Sequence, residues 1–84
     1  MGERSLGFSV DASLDSSGLL CPAPILMAEE KIAELGAGAV LEVIFTDPGA
    51  EPDLQAWCRA NHHEFLGVRK GKNSGSAYIR KSRG

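Results

Sequence analysis

The sequence predicts an α/β (α+β) two-layer sandwich of element order βαβαββ, in which two helices cover one face of a four-stranded mixed sheet. Segments in which apolar and polar residues alternate indicate strands. Segments with the apolar spacing of a helix follow the first strand and the second strand. Glycine- or proline-containing turns separate these segments. A right-handed crossover makes the first two strands parallel, and the closing hairpin adds an antiparallel pair.

The first strand and first helix are predicted from residues 8 to 36. Residues 8–14 alternate apolar and polar side chains, which is typical of a half-buried strand. Asp15 then begins a turn in which its side chain can bond its own backbone. A helix follows from Pro22 to about Leu35, and Gly36 is expected to close it in a left-handed cap. Its buried face is expected to carry Ile25, Ala28, Ile32 and Leu35.

The remaining elements follow from residues 39 to 81. The strongest strand pattern runs from Ala39 to Thr46 and ends at Asp47-Pro48-Gly49. A second helix is predicted from Ala50 to about Asn61, with a buried stripe formed by Leu54, Trp57 and Cys58. Residues 64–70 and 76–81 are predicted to form two strands joined by a glycine-rich turn.

Length and composition indicate one small domain over residues 1–84, with a core of about residues 8–81 and short flexible termini. No apolar run is long enough for a transmembrane helix, and residues 1–10 lack the apolar region of a secretory signal. Two cysteines cannot form a disulfide framework. We therefore expect a cytoplasmic protein without membrane association.

The charges are distributed unevenly along the chain. Residues 11–53 contain nine acids and one base, whereas residues 59–84 contain seven bases and one acid. Such asymmetry marks either a docking face for a partner or a solvated hairpin and tail. The candidate docking residues are Arg69, Lys70 and Lys72.

The segment Cys21-Pro22-Ala23-Pro24 carries the main chemical prediction. Pro22 has no backbone N–H and suits the first helical position, so Cys21 is expected at or beside the N-cap. There the helix dipole and the free amides of Ala23 and Ile25 are expected to favour the thiolate and to lower the thiol pKa. The alternative is an ordinary proline-marked helix start with a buried cysteine.

Other candidate residues have simpler interpretations. Cys58 is interpreted as core packing, with a second relay thiol as the alternative. His62 and His63 are adjacent in sequence and are not expected to bind a metal, and a general-base role for either stays open. Asp15 and Asp47 are interpreted as turn formers rather than as an acid/base pair.

The residues around Cys21 resemble a known family. Asp15 followed by Gly18-Leu19-Leu20-Cys21-Pro22-Ala23-Pro24 is similar to the D-x-x-G-L-x-C-P-x-P signature of the TusA/SirA-like sulfur carriers. Further similarities extend the resemblance over residues 8–81; they are Gly38, the strand ending in Asp47-Pro48, Asp53-Leu54, Trp57 and His63.

The resemblance implies a sulfur relay rather than a stand-alone enzyme. Cys21 would accept a sulfane sulfur as a covalent persulfide from a cysteine desulfurase or a rhodanese. It would then pass the sulfur to an acceptor such as a DsrE-like sulfurtransferase. The residues expected to support this cysteine are Gly18, Leu19, Pro22 and Pro24. The resemblance also implies the βαβαββ fold, and family uses include tRNA thiolation, molybdenum cofactor biosynthesis and sulfur oxidation.

The relay interpretation carries further expectations. No cofactor beyond the persulfide and no metal are expected, and the protein is expected to be a monomer that does not bind nucleic acid directly. One alternative is a regulatory module that docks RNA or protein through its basic hairpin, with Cys21 incidental. Another is a thiol-redox protein that pairs Cys21 with Cys58, which the absence of a C-x-x-C motif disfavours.

Overall fold

Strands and helices alternate along residues 7–82, which are the residues that the computed structural model describes. The elements of this part of the chain are β1 (Ala12–Asp15), α1 (Ala23–Glu34), β2 (Val40–Phe45), α2 (Ala50–Ala60), β3 (Glu64–Lys70) and β4 (Gly75–Arg80). Their order confirms the predicted βαβαββ fold class. The expected flexible termini concern residues 1–6 and 83–84, which lie outside the described residues.

The four described strands form one mixed sheet in the order β1-β2-β4-β3. β1 and β2 are parallel, with Leu14 opposite Val43, whereas β4 is antiparallel to both β2 and β3. Because parallel strands end at the same edge, the segments that follow β1 and β2 meet there. We call this edge the site edge, since the Cys21 segment lies on it.

The core lies between the sheet and the two helices. On the sheet side it contains Leu41, Val43, Phe45, Ala77 and Ile79. The helices contribute the buried side chains Ala28, Ile32, Ala50, Leu54 and Cys58, while Ile25 and Leu35 pack against this cluster from its margin. Both predicted apolar helix stripes therefore contact the sheet. Within residues 7–82, no helix combines the length and apolarity needed to cross a membrane.

The other face of the sheet carries a polar cluster across three strands. The Glu42 carboxylate on β2 accepts hydrogen bonds from Ser13 Oγ on β1 at 3.0 Å and from Tyr78 Oη on β4 at 3.1 Å. The Phe8 ring lies edge-on to the Tyr78 ring, with 5.4 Å between their centroids. Glu42 thus connects the parallel and the antiparallel parts of the sheet.

Two predicted boundaries are wrong in detail. β1 begins at Ala12 rather than near Phe8, because Phe8 packs on Tyr78 instead of extending the ladder. Gly36 is not left-handed; α1 ends at Glu34, and its C-cap residue Leu35 is extended, with φ −96° and ψ 156°. The Lys81 ammonium donates a hydrogen bond to the Leu35 carbonyl, so a side chain beyond β4 supplies the cap that glycine was expected to provide.

Candidate functional site

The segment between β1 and α1 is tied to the end of β2 by hydrogen bonds. Ser16 donates from its backbone N at 2.8 Å and from Oγ at 2.6 Å to the Ile44 carbonyl. Gly18 N donates to Thr46 Oγ at 2.8 Å. Gly18 has a φ of +82°, a conformation that glycine adopts without the steric cost other residues pay. These contacts fix the path of the chain toward Cys21 along the site edge.

The turn predicted at Asp15 is present at the start of this segment. Asp15 Oδ1 accepts a hydrogen bond from Ser17 N at 2.9 Å, as expected for an aspartate that bonds its own backbone two residues ahead. A hydrogen bond from the Ser17 side chain lowers the pKa of the Asp15 carboxyl group, together with this backbone bond. Asp15 therefore has the turn-forming role that the sequence predicted.

Helix α1 starts one residue later than predicted. Pro22 occupies the N-cap rather than the first helical position, and Cys21 precedes the cap with a cis peptide bond to Pro22. The two prolines differ in their surroundings, because Pro24 is buried in the core whereas Pro22 is exposed. Pro24 thus anchors the first turn of α1, and the half-buried Cys21 lies at its surface.

The two amides expected to stabilise a Cys21 thiolate are already bonded. Ala23 N donates to the Leu20 carbonyl at 2.9 Å, and Ile25 N donates to the Pro22 carbonyl at 3.0 Å. The expectation that these donors reach the sulfur is therefore wrong. Both amides donate hydrogen bonds to backbone carbonyls at the start of α1, and neither donates to the Cys21 sulfur.

Two carboxylates lie against Cys21 instead. Asp47 Oδ2 accepts a hydrogen bond from Cys21 N at 2.9 Å, and Asp47 Oδ1 accepts one from Gly49 N at 3.2 Å. Asp53 lies in the first turn of α2, and its negative charge acts on the Cys21 thiol. Burial raises the pKa of the Cys21 thiol to about 12, together with the hydrogen bonds and negative charges of Asp53 and Asp47. The predicted lowering of this pKa is therefore wrong.

Sequence reasoning did not connect either aspartate with Cys21. The sequence indicates Asp47 only as a turn former, and Asp53 only as one of the residues that resemble the family. Asp47 does form the turn, but the same carboxylate holds Cys21. The parallel pairing of the first two strands was the available signal, because it brings the segments after both strands to one edge.

Three leucines close to Cys21 in the chain have exposed side chains. Leu20 immediately precedes the cysteine and is 74% exposed, and Leu26 in the first turns of α1 is 56% exposed. Leu19 is 40% exposed. Exposed leucines grouped near one reactive side chain are typical of a protein contact surface.

Part of the predicted basic docking patch lies on the same edge. Lys70 Nζ forms an ion pair with Glu51 Oε1 of α2 at 3.0 Å. Lys72 lies in the turn between β3 and β4 and lines an open cavity of about 340 Å³ that Thr46 also lines. Because Thr46 bonds Gly18, this cavity adjoins the Cys21 segment. Arg69 is exposed on β3.

Cys58 has a different environment from Cys21. It is 1% exposed within the core cluster, as the packing interpretation predicted. Burial raises the pKa of the Cys58 thiol to about 11. Both cysteines are free thiols, and the core position of Cys58 disfavours the redox pairing.

The two histidines lie beyond the C-terminal end of α2, whereas Cys21 contacts its first turn. The His63 ring packs on Trp57, with 5.1 Å between ring centroids, and His63 Nδ1 accepts a hydrogen bond from Ser82 N at 3.1 Å. Burial and the nearby charges of Lys81 and His62 lower the pKa of His63. Among residues 7–82, no three His, Cys, Asp or Glu side chains are grouped to hold a metal ion.

Comparison with known proteins identifies relatives over most of the chain. The family model described as sulfurtransferase TusA matches residues 12–81. The sulfur carrier protein TusA of Pseudomonas entomophila is 42% identical over 71 residues, which are 84% of this chain and 89% of that protein. The sulfur carrier protein TusA of Pseudomonas syringae pv. syringae is 37% identical over 81 residues, 96% of each chain.

A solved structure has the same fold. The crystal structure of a SirA-like protein from Desulfitobacterium hafniense matches with a TM-score of 0.76 and 24% sequence identity. The match covers 86% of this chain and 99% of that protein. The βαβαββ fold is therefore also found in an experimental structure.

Proposed function

Because this chain belongs to the TusA family of sulfur carriers, we propose that Cys21 is the residue on which it carries sulfur. In this proposal the cargo is a sulfane sulfur bound to Cys21 as a persulfide, and no other cofactor takes part. A sulfur carrier interacts with a donor protein and an acceptor protein. For this chain we propose a cysteine desulfurase or a rhodanese as donor and a DsrE-like sulfurtransferase as acceptor.

The chemistry needs one nucleophilic sulfur and access for two proteins in turn. The Cys21 thiolate attacks the terminal sulfur of the donor persulfide, which forms a sulfur–sulfur bond on Cys21 and breaks the donor's own sulfur–sulfur bond. The donor sulfur leaves as a thiolate and takes up the proton that the Cys21 thiol released. The acceptor thiolate then attacks the terminal sulfur on Cys21 in the same way, so no external oxidant or reductant is consumed.

One observation carries the proposal: of the two thiols, only Cys21 lies at a surface that a partner can reach. Cys21 is half-buried at the site edge beside the exposed side chains of Leu20 and Leu26, whereas Cys58 is 1% exposed. Transfer between proteins requires the reacting sulfurs to meet, so a core thiol is not a suitable carrier.

The supporting roles of the motif residues follow from their positions. Gly18 supplies the left-handed turn, and Pro24 fixes the start of α1 in the core. Leu19 contributes exposed apolar surface, and Pro22 provides the N-cap residue next to the thiol. The alternative of a regulatory or RNA-docking module gains no support from the relatives.

The test is sulfur loading of three proteins: wild type, Cys21→Ser and Cys58→Ser. Each is incubated with a cysteine desulfurase and free cysteine, and the adduct is located by mass spectrometry of peptides. We expect one added sulfur atom on Cys21 in wild type and in Cys58→Ser, and none in Cys21→Ser. An adduct that persists in Cys21→Ser and disappears in Cys58→Ser would reverse the assignment.

A further inference from the structure

The site edge places two carboxylates next to the reactive thiol, and one of them is held by hydrogen bonds. Asp47 is held by hydrogen bonds from Cys21 N and Gly49 N, so its carboxylate cannot turn away without leaving both amides unpaired. These same bonds lower the pKa of Asp47, which keeps it ionised at neutral pH. Asp53 lies in the first turn of the neighbouring helix α2, where its charge acts on the thiol and its side chain is exposed to solvent.

No cation of the described chain offsets this pair at the sulfur. The charges that act on the Cys21 thiol within residues 7–82 are those of Asp53 and Asp47, and both disfavour the thiolate. Lys70, on the same edge, is paired with Glu51. A thiolate formed at Cys21 therefore has two negative neighbours, and like charges at short range destabilise one another.

We propose that Asp47 and Asp53 keep Cys21 in its unreactive thiol form until a Lys or Arg side chain of a docked protein neutralises them. This inference rests on the proposed function, because it concerns how the carrier cysteine becomes active. Asp47 and Asp53 act here as positioning residues: they set the charge state of the sulfur and recognise a cation, and they take no part in bond formation.

The partner that this surface fits is apolar with a basic residue at its centre. Leu20 and Leu26 supply exposed apolar area beside the thiol, and the two carboxylates supply the complementary charge. Covering the leucines also removes water from the site, which strengthens the attraction between a partner cation and the carboxylates. The Cys21 thiolate then attacks the donor persulfide as described above, and the departing donor thiolate takes up the proton that the Cys21 thiol released.

Charged thiol reagents measure the field at Cys21 without any sulfur-transfer partner. Aminoethyl methanethiosulfonate is cationic and sulfonatoethyl methanethiosulfonate is anionic. Each converts a thiolate to a mixed disulfide and releases methanesulfinate. With Cys58→Ser as the background, we expect the cationic reagent to be preferred by about tenfold or more relative to free cysteine at low salt. High salt should reduce the preference.

Substitution of the carboxylates tests their role directly. Asp53→Asn keeps the size of the side chain and removes its charge; we expect the reagent preference to fall several-fold. The rate with neutral iodoacetamide at about pH 8 should rise about tenfold for each unit by which the thiol pKa falls. Asp53→Glu should restore the wild-type behaviour. Glu29→Gln removes an exposed charge from α1 and is the matched control, for which we expect no change.

The outcomes decide the inference even if one variant folds poorly. Asp47→Asn tests the second carboxylate, but it alters a residue that holds the backbone. Two other measurements therefore decide the result without Asp47→Asn. They are the salt dependence of the reagent preference in wild type and the behaviour of the Asp53→Asn variant. Equal preference for both reagents in wild type, or an unchanged iodoacetamide rate in Asp53→Asn, would overturn the proposal.

Peptide donors connect the inference with sulfur transfer. Two short persulfidated peptides that differ only in a Lys or a Glu beside the cysteine serve as probes. We expect the Lys peptide to load Cys21 faster in wild type, and the difference to shrink in Asp53→Asn. If neither peptide loads Cys21 while the reagent preference is present, the proposed function fails and the charge effect stands. If both peptides load Cys21 at equal rates, the charge effect fails and the proposed function stands.

Discussion

Burial is the largest cause of the raised thiol pKa at both cysteines of this protein, but at Cys21 neighbouring charges act as well. Burial alone raises the pKa of Cys58, which lies in the core with 1% exposure. At Cys21 the negative charges and hydrogen bonds of Asp53 and Asp47 add to burial. A buried thiol becomes reactive only when the fold opens, whereas a thiol held by neighbouring charges becomes reactive when those charges are neutralised.

This difference explains how one small domain can hold an inert thiol and the proposed carrier thiol together. The core position of Cys58 removes it from reaction without any specific partner. The position of Cys21 leaves it accessible, with its reactivity dependent on what approaches the site edge. Accessibility and thiolate formation are therefore separate properties of Cys21. A partner can change the thiolate formation without unfolding the protein.

The largest effect expected from this comparison is in alkylation by iodoacetamide. In the folded protein the rate at Cys21 should rise about tenfold for each pH unit from about pH 7 to about pH 10, without a plateau, because its pKa is raised to about 12. Unfolding in urea should accelerate Cys21 on the order of a thousandfold at about pH 8, since burial and the two carboxylates, which raise its pKa from 9.0 to about 12, no longer act on it.

Cys58 provides the internal control in the same experiment. Its folded-state rate should be about tenfold or more below that of Cys21, because it requires opening of the core. In urea the two rates should converge. A plateau in the Cys21 rate below about pH 9 would show a lowered pKa, and equal folded-state rates would remove the distinction between the two thiols.

A smaller effect is expected from the basic hairpin. Lys72→Glu should slow sulfur loading by a protein donor several-fold at low salt, because its turn adjoins the Cys21 segment across the cavity lined by Thr46. Arg59→Glu, in the last turn of α2, is the matched control at the far end of that helix. The iodoacetamide rate at Cys21 should be equal in both variants. Equal loading by both variants would show that Lys72 has no part in docking.

The smallest expected effect concerns Cys58. Cys58→Ala leaves a small cavity in the core and should lower the free energy of unfolding by about 1 kcal/mol, with sulfur loading of Cys21 unchanged. Urea unfolding measures the first quantity and mass spectrometry the second. Loss of loading without loss of stability would instead indicate a two-cysteine mechanism.

Local patterns were sufficient to predict the fold. Two short-range features of the sequence are the apolar alternation in β2 and the stripe of Leu54, Trp57 and Cys58 on α2. Their apolar residues lie in the core or pack against its margin. The prediction was wrong at Gly36 because the residue that caps α1 is Lys81, which follows β4. A cap from a distant residue leaves no local sequence signal.

The position of Cys21 could be predicted, but its electrostatics could not. The prolines of the motif mark the helix start, and the structure differs there by one residue. The thiol pKa depends instead on Asp47 and Asp53, which reach Cys21 only through the pairing of β1 with β2. The bonding of the Ala23 amide to the Leu20 carbonyl is likewise a property of the folded turn.

Glu42 connects this site to the alignment of the sheet. It lies opposite Ser13 in one ladder and opposite Tyr78 in the other, and bonds both side chains. A shift of β2 by one residue would turn its carboxylate into the apolar core, which carries a large free-energy penalty. The same shift would move Asp47, two residues beyond the end of β2, away from Cys21. Glu42, on the opposite face of the sheet, thereby disfavours misaligned sheets in which Asp47 would no longer lie beside the Cys21 sulfur.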